Sequence, residues 1–234
     1  MLQQHTGNAI RFGILTLPLS GLLTLVGLLG RYEIPNPRDD PKAAVQAASS
    51  TTYFVSQLVG NVFGLMMLIF GLLALTAYLA NTRVRGLALT GMVLSIAGIA
   101  LVLSALGITT YALPEISRAY LSGQQEALVI VTAIYQGLVR ELFVAVFLLY
   151  SAGFILFGVA IWRSGVLPRP AAISLGLHAP LVEGFFRSQL NWVSVVGALL
   201  FIFGSVVIAL SVFRKPSGGE AAAEAERLEG KRNE

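Results

Sequence analysis

Cysteine is absent from this chain, and charge is scarce. Without a thiol there is no structural disulfide, no thiolate metal site and no cysteine nucleophile. Only 12% of the residues are charged and 56% are hydrophobic, whereas a soluble domain carries about a quarter of its residues as charges. That deficit excludes an ordinary soluble domain. The 234 residues hold two histidines, His5 and His178, and the only lysines are Lys42, Lys215 and Lys231. His5 and His178 lack the i, i+4 spacing of an HExxH zinc site, and histidines in different segments at different depths do not make the paired ligands of an inter-helix haem. No lysine lies within an apolar run, which excludes a retinal Schiff base. The string nearest to a rhomboid-type serine motif, Pro18-Leu19-Ser20-Gly21, lacks the leading glycine. Basic residues stand singly at segment ends without interleaved aromatics, so the net charge of +4 does not imply nucleic acid. The expectation is no cofactor, no metal, no catalytic set and no nucleic-acid partner.

What the chain does have is long apolar runs, each near the roughly 20 residues an α-helix needs to cross the hydrocarbon core. Phe12 to Gly30 is the first, with Pro18 as a kink position; Arg31-Tyr32-Glu33 after it is no signal-peptide cleavage site. Three prolines and six charges make Arg31 to Lys42 a surface loop. From there to Arg83 the uncharged run is about 40 residues, roughly 60 Å of helix, so the second helix starts outside the membrane. After the basic turn Arg83-Val84-Arg85-Gly86, Leu87 to Leu113 is the third span, ended by Pro114-Glu115. Ile116 to Gln136 mixes charges with apolar residues, either as an interfacial amphipathic helix or as an extension of the fourth helix. Leu142 to Trp162 is the fourth span, Ala171 to Trp192 the fifth, and Asn191 to Phe213 the sixth. The fold class expected is an all-α polytopic membrane bundle of six transmembrane helices over 1–215. A polar, unstructured cytoplasmic tail is expected over 216–234.

Positive charge in short loops sets orientation. Arg83 and Arg85, Arg163 and Arg169, then Arg214 and Lys215 all fall on one side, with no acid in the two short turns. Both termini are therefore expected in the cytoplasm, and the two long loops outside.

The fifth span is the most polar, AAISLGLHAPLVEGFFRSQLNW, and it holds His178, Glu183 and Arg187. Glu183 and Arg187 are four apart and share a helix face. Gln57 and Asn61 early in the second span, and Arg140 and Glu141 at the mouth of the fourth, fall at a similar outer depth. Together these seven residues are the expected ligand-binding cluster. Ionisable groups in a membrane are costly and often mark a site. The alternative is that Glu183, Arg187, Arg140 and Glu141 are interfacial ion pairs joining helix ends, with arginines reaching to the headgroups. His178, two residues before Pro180, is either a donor to a carbonyl freed by the proline or a proton carrier. Gly60-Asn61-Val62-Phe63-Gly64 is a GxxxG string of the kind that lets helices approach closely.

Three functional readings remain open. The first is a non-enzymatic small-ligand or lipid-binding or accessory protein, with the bilayer, another membrane protein or a homo-oligomer as partner. The second is a small transporter or channel. The third is an embedded enzyme using His178 and Glu183, against which their five-residue spacing, about 140° apart on a helix, counts.

Ile161-Trp162-Arg163-Ser164-Gly165-Val166-Leu167-Pro168-Arg169, with Tyr111-Ala112-Leu113-Pro114-Glu115 closing the third span, resembles a group of uncharacterised six-helix bacterial membrane proteins classed as a domain of unknown function. Two positions depart from that pattern: Pro170 stands where an aromatic residue often follows, and Gln57 where a histidine is expected. The resemblance implies a bacterial inner-membrane location and brings no activity.

Overall fold

A computed structural model describes the backbone of residues 2–30, 40–184 and 191–214, with side chains described for 7–30, 40–137, 141–182 and 192–214. The expected tail at 216–234 lies outside the described residues. Among these residues every regular element is helical. Helix α1 runs Leu2–Gly30 with Pro18 inside it. After α2 (Pro41–Ala48), a long continuous helix comprises α3 (Thr51–Val55), a π-helical stretch π1 (Ser56–Phe63) and α4 (Gly64–Leu79). A second comprises α5 (Arg85–Gly107), a π turn π2 (Ile108–Ala112) and α6 (Leu113–Leu121). Then come α7 (Glu126–Gln136), α8 (Leu138–Ser164), α9 (Arg169–Gly184) and α10 (Asn191–Arg214).

Five stretches are long and apolar enough to cross a membrane: Gly7–Gly30, Thr51–Leu79, Arg85–Leu121, Glu141–Ser164 and Trp192–Arg214. Their outward faces expose large apolar side chains such as Leu22, Phe70, Leu148, Val159 and Phe203. A water-soluble protein does not carry that much apolar surface, so the chain is a membrane protein. Helix α9 has 16 residues, about 24 Å of helix, and is shorter than the other five.

The long helices and α9 close into a ring in which α1 contacts α4, α4 contacts α5, and α5, α8, α9, α10 and α1 follow in turn. Apolar surface is no driving force between helices in lipid, so close approach depends on small residues. Five of the six seams have them. Gly13 of α1 faces Ala74 of α4, and Gly60 of π1 lies against the backbone of Gly27 of α1. Gly98 of α5 meets Tyr150 of α8, and Gly158 of α8 meets Gly176 of α9. Gly197 and Gly204 of α10 meet Val182 and Ser174 of α9, and Gly21 of α1 meets Phe201 and Ile202 of α10. The GxxxG pair Gly60 and Gly64 is thus used inside the bundle, against α1. The α4–α5 seam is the exception. No glycine of either helix meets the other, and the two make the sparsest contact in the ring.

At one end of the ring sits a cap. Asp40 opens α2 by accepting from the Ala43 amide at 2.9 Å, with Pro41 in the first turn, where a missing N–H costs nothing. Ser50 opens α3 in the same way through the Tyr53 amide at 3.1 Å. Helices α2, α6 and α7 then bury Val45, Ala48, Leu113, Tyr120, Val131 and Tyr135 together, and the Ser117 hydroxyl donates to the Val45 carbonyl. The opposite end holds the basic turns. There Arg11 lies 5.9 Å from the Phe213 ring and Arg169 5.1 Å from the Trp162 ring, the side-chain types that gather at a membrane surface.

The cap corrects two expectations. Pro114 does not end the third span, because the helix continues to Leu121. A proline breaks a helix by stranding a carbonyl four residues back. Here the preceding residues are wound as π2, which already skips that bond, and Pro114 enters in the first turn of α6. The stretch Ile116 to Gln136 is also not one helix. Its first part belongs to the third span, and its second part is the separate helix α7, broken from α8 at Gly137 (φ −92°, ψ −133°).

Candidate functional site

The capped end of the ring holds a chain of buried polar side chains. Tyr53, Gln57 and Asn61 follow at intervals of four along α3 and π1, on one side of the helix, and all three are buried. A π-helical stretch has an irregular bond pattern that often accompanies function. The Tyr53 hydroxyl is 3.0 Å from the carbonyl oxygen of Thr109, in π2. The Gln57 Nε2 is 3.1 Å from the Tyr53 hydroxyl, and the Asn61 Nδ2 donates to Gln57 Oε1.

The direction of this ladder follows from one group. A backbone carbonyl can only accept, so Tyr53 must donate to Thr109 and offer its lone pair to Gln57. Gln57 therefore presents its NH2 to Tyr53 and its oxygen to Asn61, which must present its own NH2. All three bonds run the same way, an arrangement in which each polarises the next. The ladder closes at Thr109. At its other end, Asn61 Oδ1 lies beside Gly27 of α1, 3.0 Å from where a Cβ would stand, and accepts no hydrogen bond among the described residues.

A second polar group lies deeper. His178 on α9 is buried between the rings of Phe154 (centroids 4.3 Å apart, edge-on) and Phe201 (4.6 Å), with Tyr150 at 6.0 Å. Its Nδ1 is 2.7 Å from the carbonyl of Leu175 and donates to it. That carbonyl is one residue before Gly176, whose carbonyl Pro180 strands, so the histidine braces the turn before the proline without capping the stranded group. Nε2 has no partner among the described residues, nor do the buried hydroxyls of Ser20, Ser95, Thr110 and Ser151. His178 therefore fills a slot between aromatic rings with one ring nitrogen unused.

Of the expected outer cluster, the structure brings Gln57 and Asn61 together and leaves His178 in its separate aromatic slot. Glu141 is exposed at the start of α8. The side chains of Arg140 and Glu183, and Arg187 as a whole, lie outside the described residues. Tyr53 and Thr109, which anchor the ladder, were missed from sequence, although the spacing of Tyr53, Gln57 and Asn61 was visible there. Among the described residues no three metal-ligating side chains gather, and the ion pair Glu115–Arg118, 2.9 Å apart on α6, is solvent-exposed. Searches for likeness brought nothing further: no family model, no curated protein and no solved structure matches this chain.

Proposed function

We propose that this is a non-enzymatic membrane protein of six spans that binds a small ligand or lipid at the outer-leaflet end of its helix ring. Helix α9 is the sixth span, since it takes a full place in the ring between α8 and α10. The capped end lies outside and both termini in the cytoplasm, supported by Arg83, Arg85, Arg163 and Arg169 at the opposite end. The earlier resemblance supports a bacterial inner membrane.

The observation that carries the reading is the open end of the ladder. Unlike His178 Nε2, Asn61 Oδ1 is not among the fully buried atoms that lack a partner, so the ladder ends on an acceptor that a ligand can reach. It fixes three polar side chains and offers Asn61 Oδ1 unpaired. The complementary ligand is a hydrogen-bond donor, a hydroxyl or an amine, whether on a lipid headgroup or on a free small molecule. The non-enzymatic reading is supported by His178, whose polar contact is its own helix's backbone.

Native mass spectrometry of the purified protein tests this. The wild type is expected to retain a bound species whose mass tells lipid from small molecule, and Asn61→Leu to lose most of it while still folding. Equal retention by the variant, or no bound species in the wild type, overturns the proposal. A small transporter or channel is the second reading, favoured by the glycine-free α4–α5 seam, and flux across proteoliposomes separates the two.

A further inference from the structure

The two basic turns each carry two arginines but hold them differently. In the α4–α5 turn, Arg83 and Arg85 are exposed, and neither has an ion pair or a cation–ring contact among the described residues. In the α8–α9 turn, the Arg169 guanidinium stands 5.1 Å from the ring of Trp162. Trp162 is 46% exposed and continues the outward apolar stripe of Ile155 and Val159 along α8. Leu142 to Trp162 is about 30 Å of helix, the thickness of the hydrocarbon core, so the indole sits where that core ends, a level that tryptophan favours. Arg163 follows it, exposed. Arg11 has a similar place beside Phe213 but is engaged elsewhere as well.

The α8–α9 turn is also fixed. Gly165 ends α8 in the left-handed region at φ 65°, which a side chain would strain. The Ser164 hydroxyl donates to the Ile161 carbonyl at 2.8 Å and accepts from the Val166 amide at 3.3 Å. Leu167 is buried in the main core, and the Ala171 amide closes back on the Pro168 carbonyl at 3.1 Å. Arg163 and Arg169 therefore stand at the two ends of a rigid loop. The acids whose side chains are described, Asp40, Glu115, Glu126 and Glu141, all lie at the capped end of the ring, so among the described residues no carboxylate answers these two guanidiniums. A guanidinium seated on a ring keeps its in-plane N–H donors for a second partner.

We infer that the α8–α9 turn binds the phosphodiester of an anionic phospholipid, held between the guanidinium forks of Arg163 and Arg169 with the Trp162 ring against its acyl chains. Arginine takes phosphate through paired N–H···O bonds, and basic sites at the ends of membrane helices take anionic head groups. The site lies at the edge of the hydrocarbon with an apolar wall, so the phosphate that fits it is one with chains attached. It stands at the end of the ring opposite the ladder and is independent of any ligand there.

The full-length protein, purified in a mild non-ionic detergent, is titrated with phosphatidylglycerol or phosphatidylcholine and the bound lipid is counted by native mass spectrometry. The wild type is expected to prefer phosphatidylglycerol by at least about tenfold. The double variant Arg163→Gln/Arg169→Gln is expected to lose that preference, and Arg83→Gln/Arg85→Gln, with the same net charge, to stay within about twofold of the wild type. Arg163→Lys/Arg169→Lys keeps both charges and with them the fold and insertion, and is expected to bind phosphatidylglycerol at least about threefold more weakly, because an ammonium does not make the paired bonds. Equal losses in the two glutamine doubles overturn the inference, since they reduce the effect to net charge at this end. A wild-type preference below about twofold, or a lysine double as tight as the wild type, overturns it too. Inorganic phosphate retained as tightly as phosphatidylglycerol assigns the turn to a free anion and overturns it as well.

Discussion

The α1–π1 contact is close enough that one methyl group measures it. A Cβ added to Gly60 would fall on the N and Cα of Gly27 and 3.0 Å from the carbonyl oxygen of Leu23. All three are backbone atoms, so no rotamer change relieves the clash. Carbon atoms rest about 3.5–4.0 Å apart, so α1 must withdraw by about 1 Å, and a gap of that size forfeits up to half of each dispersion contact along the seam. Gly64 against Thr24 and Gly30 against Ser56 share that seam. Overpacking of this kind costs roughly 1–3 kcal/mol, and the backbone clash places Gly60→Ala near the top of that range. Exchanging glycine for alanine in a helix returns up to about 1 kcal/mol, leaving a net loss of about 2 kcal/mol. Gly107 in α5 is the control. Nothing stands within 4 Å of its added Cβ, so Gly107→Ala gains about 0.5–1 kcal/mol. Reversible unfolding in mixed micelles should therefore separate the two variants by about 3 kcal/mol. If they differ by less than about 1 kcal/mol, the close packing of π1 on α1 is not what holds this side of the ring.

Two further substitutions test the polar groups by the same unfolding measurement. Tyr53→Phe strands the Gln57 amide and the Thr109 carbonyl and is expected to cost about 2 kcal/mol; adding Gln57→Leu should cost less than the sum, because the amide that would be stranded is gone. At His178, Phe keeps a ring between Phe154 and Phe201 and is expected to cost less than about 1.5 kcal/mol, whereas Ala leaves a cavity costing about 3 kcal/mol; equal losses would show that the Nδ1 bond outweighs the packing.

The spans were legible because membrane thickness imposes a length on apolar runs, and five of them stand in the structure near the expected boundaries. The uncharged run from Lys42 to Arg83, expected as one helix, is instead divided into α2 and the long helix that starts at Thr51, because Ser49 and Ser50 end one and cap the other. What local sequence did not reveal depends on winding. Pro114 reads as a stop unless the π turn before it is known, and no residue type announces a π turn. The Gly137 break that frees α7 from α8 is one glycine among 24. At the site, Gln57 and Asn61 were identified from depth alone, while Tyr53 was not singled out. Its role rests on Thr109, 56 residues away, a contact no spacing rule reaches. His178 drew attention by its polarity, yet its surroundings come from Phe154 on α8 and Phe201 on α10, and only the fold brings these together.

The glycine-free seam sets how this bundle deforms. Helices α4 and α5 are consecutive in the chain, pinned at one end by the turn in which Thr82 and Arg85 bond back to Leu79 and Thr82. They are clasped at the other by the Tyr53–Thr109 bond and the Phe54–Tyr111 ring pair, 6.4 Å apart. A barrel of staves with one loose joint, held by a hoop at each rim, does not fall open. It bows, and the gap widens at mid-height and faces lipid. Sparse packing marks the least stable part of a fold, so amide exchange is expected to be fastest at mid-height of the α4–α5 seam, with the ladder's Tyr53 as the upper clasp.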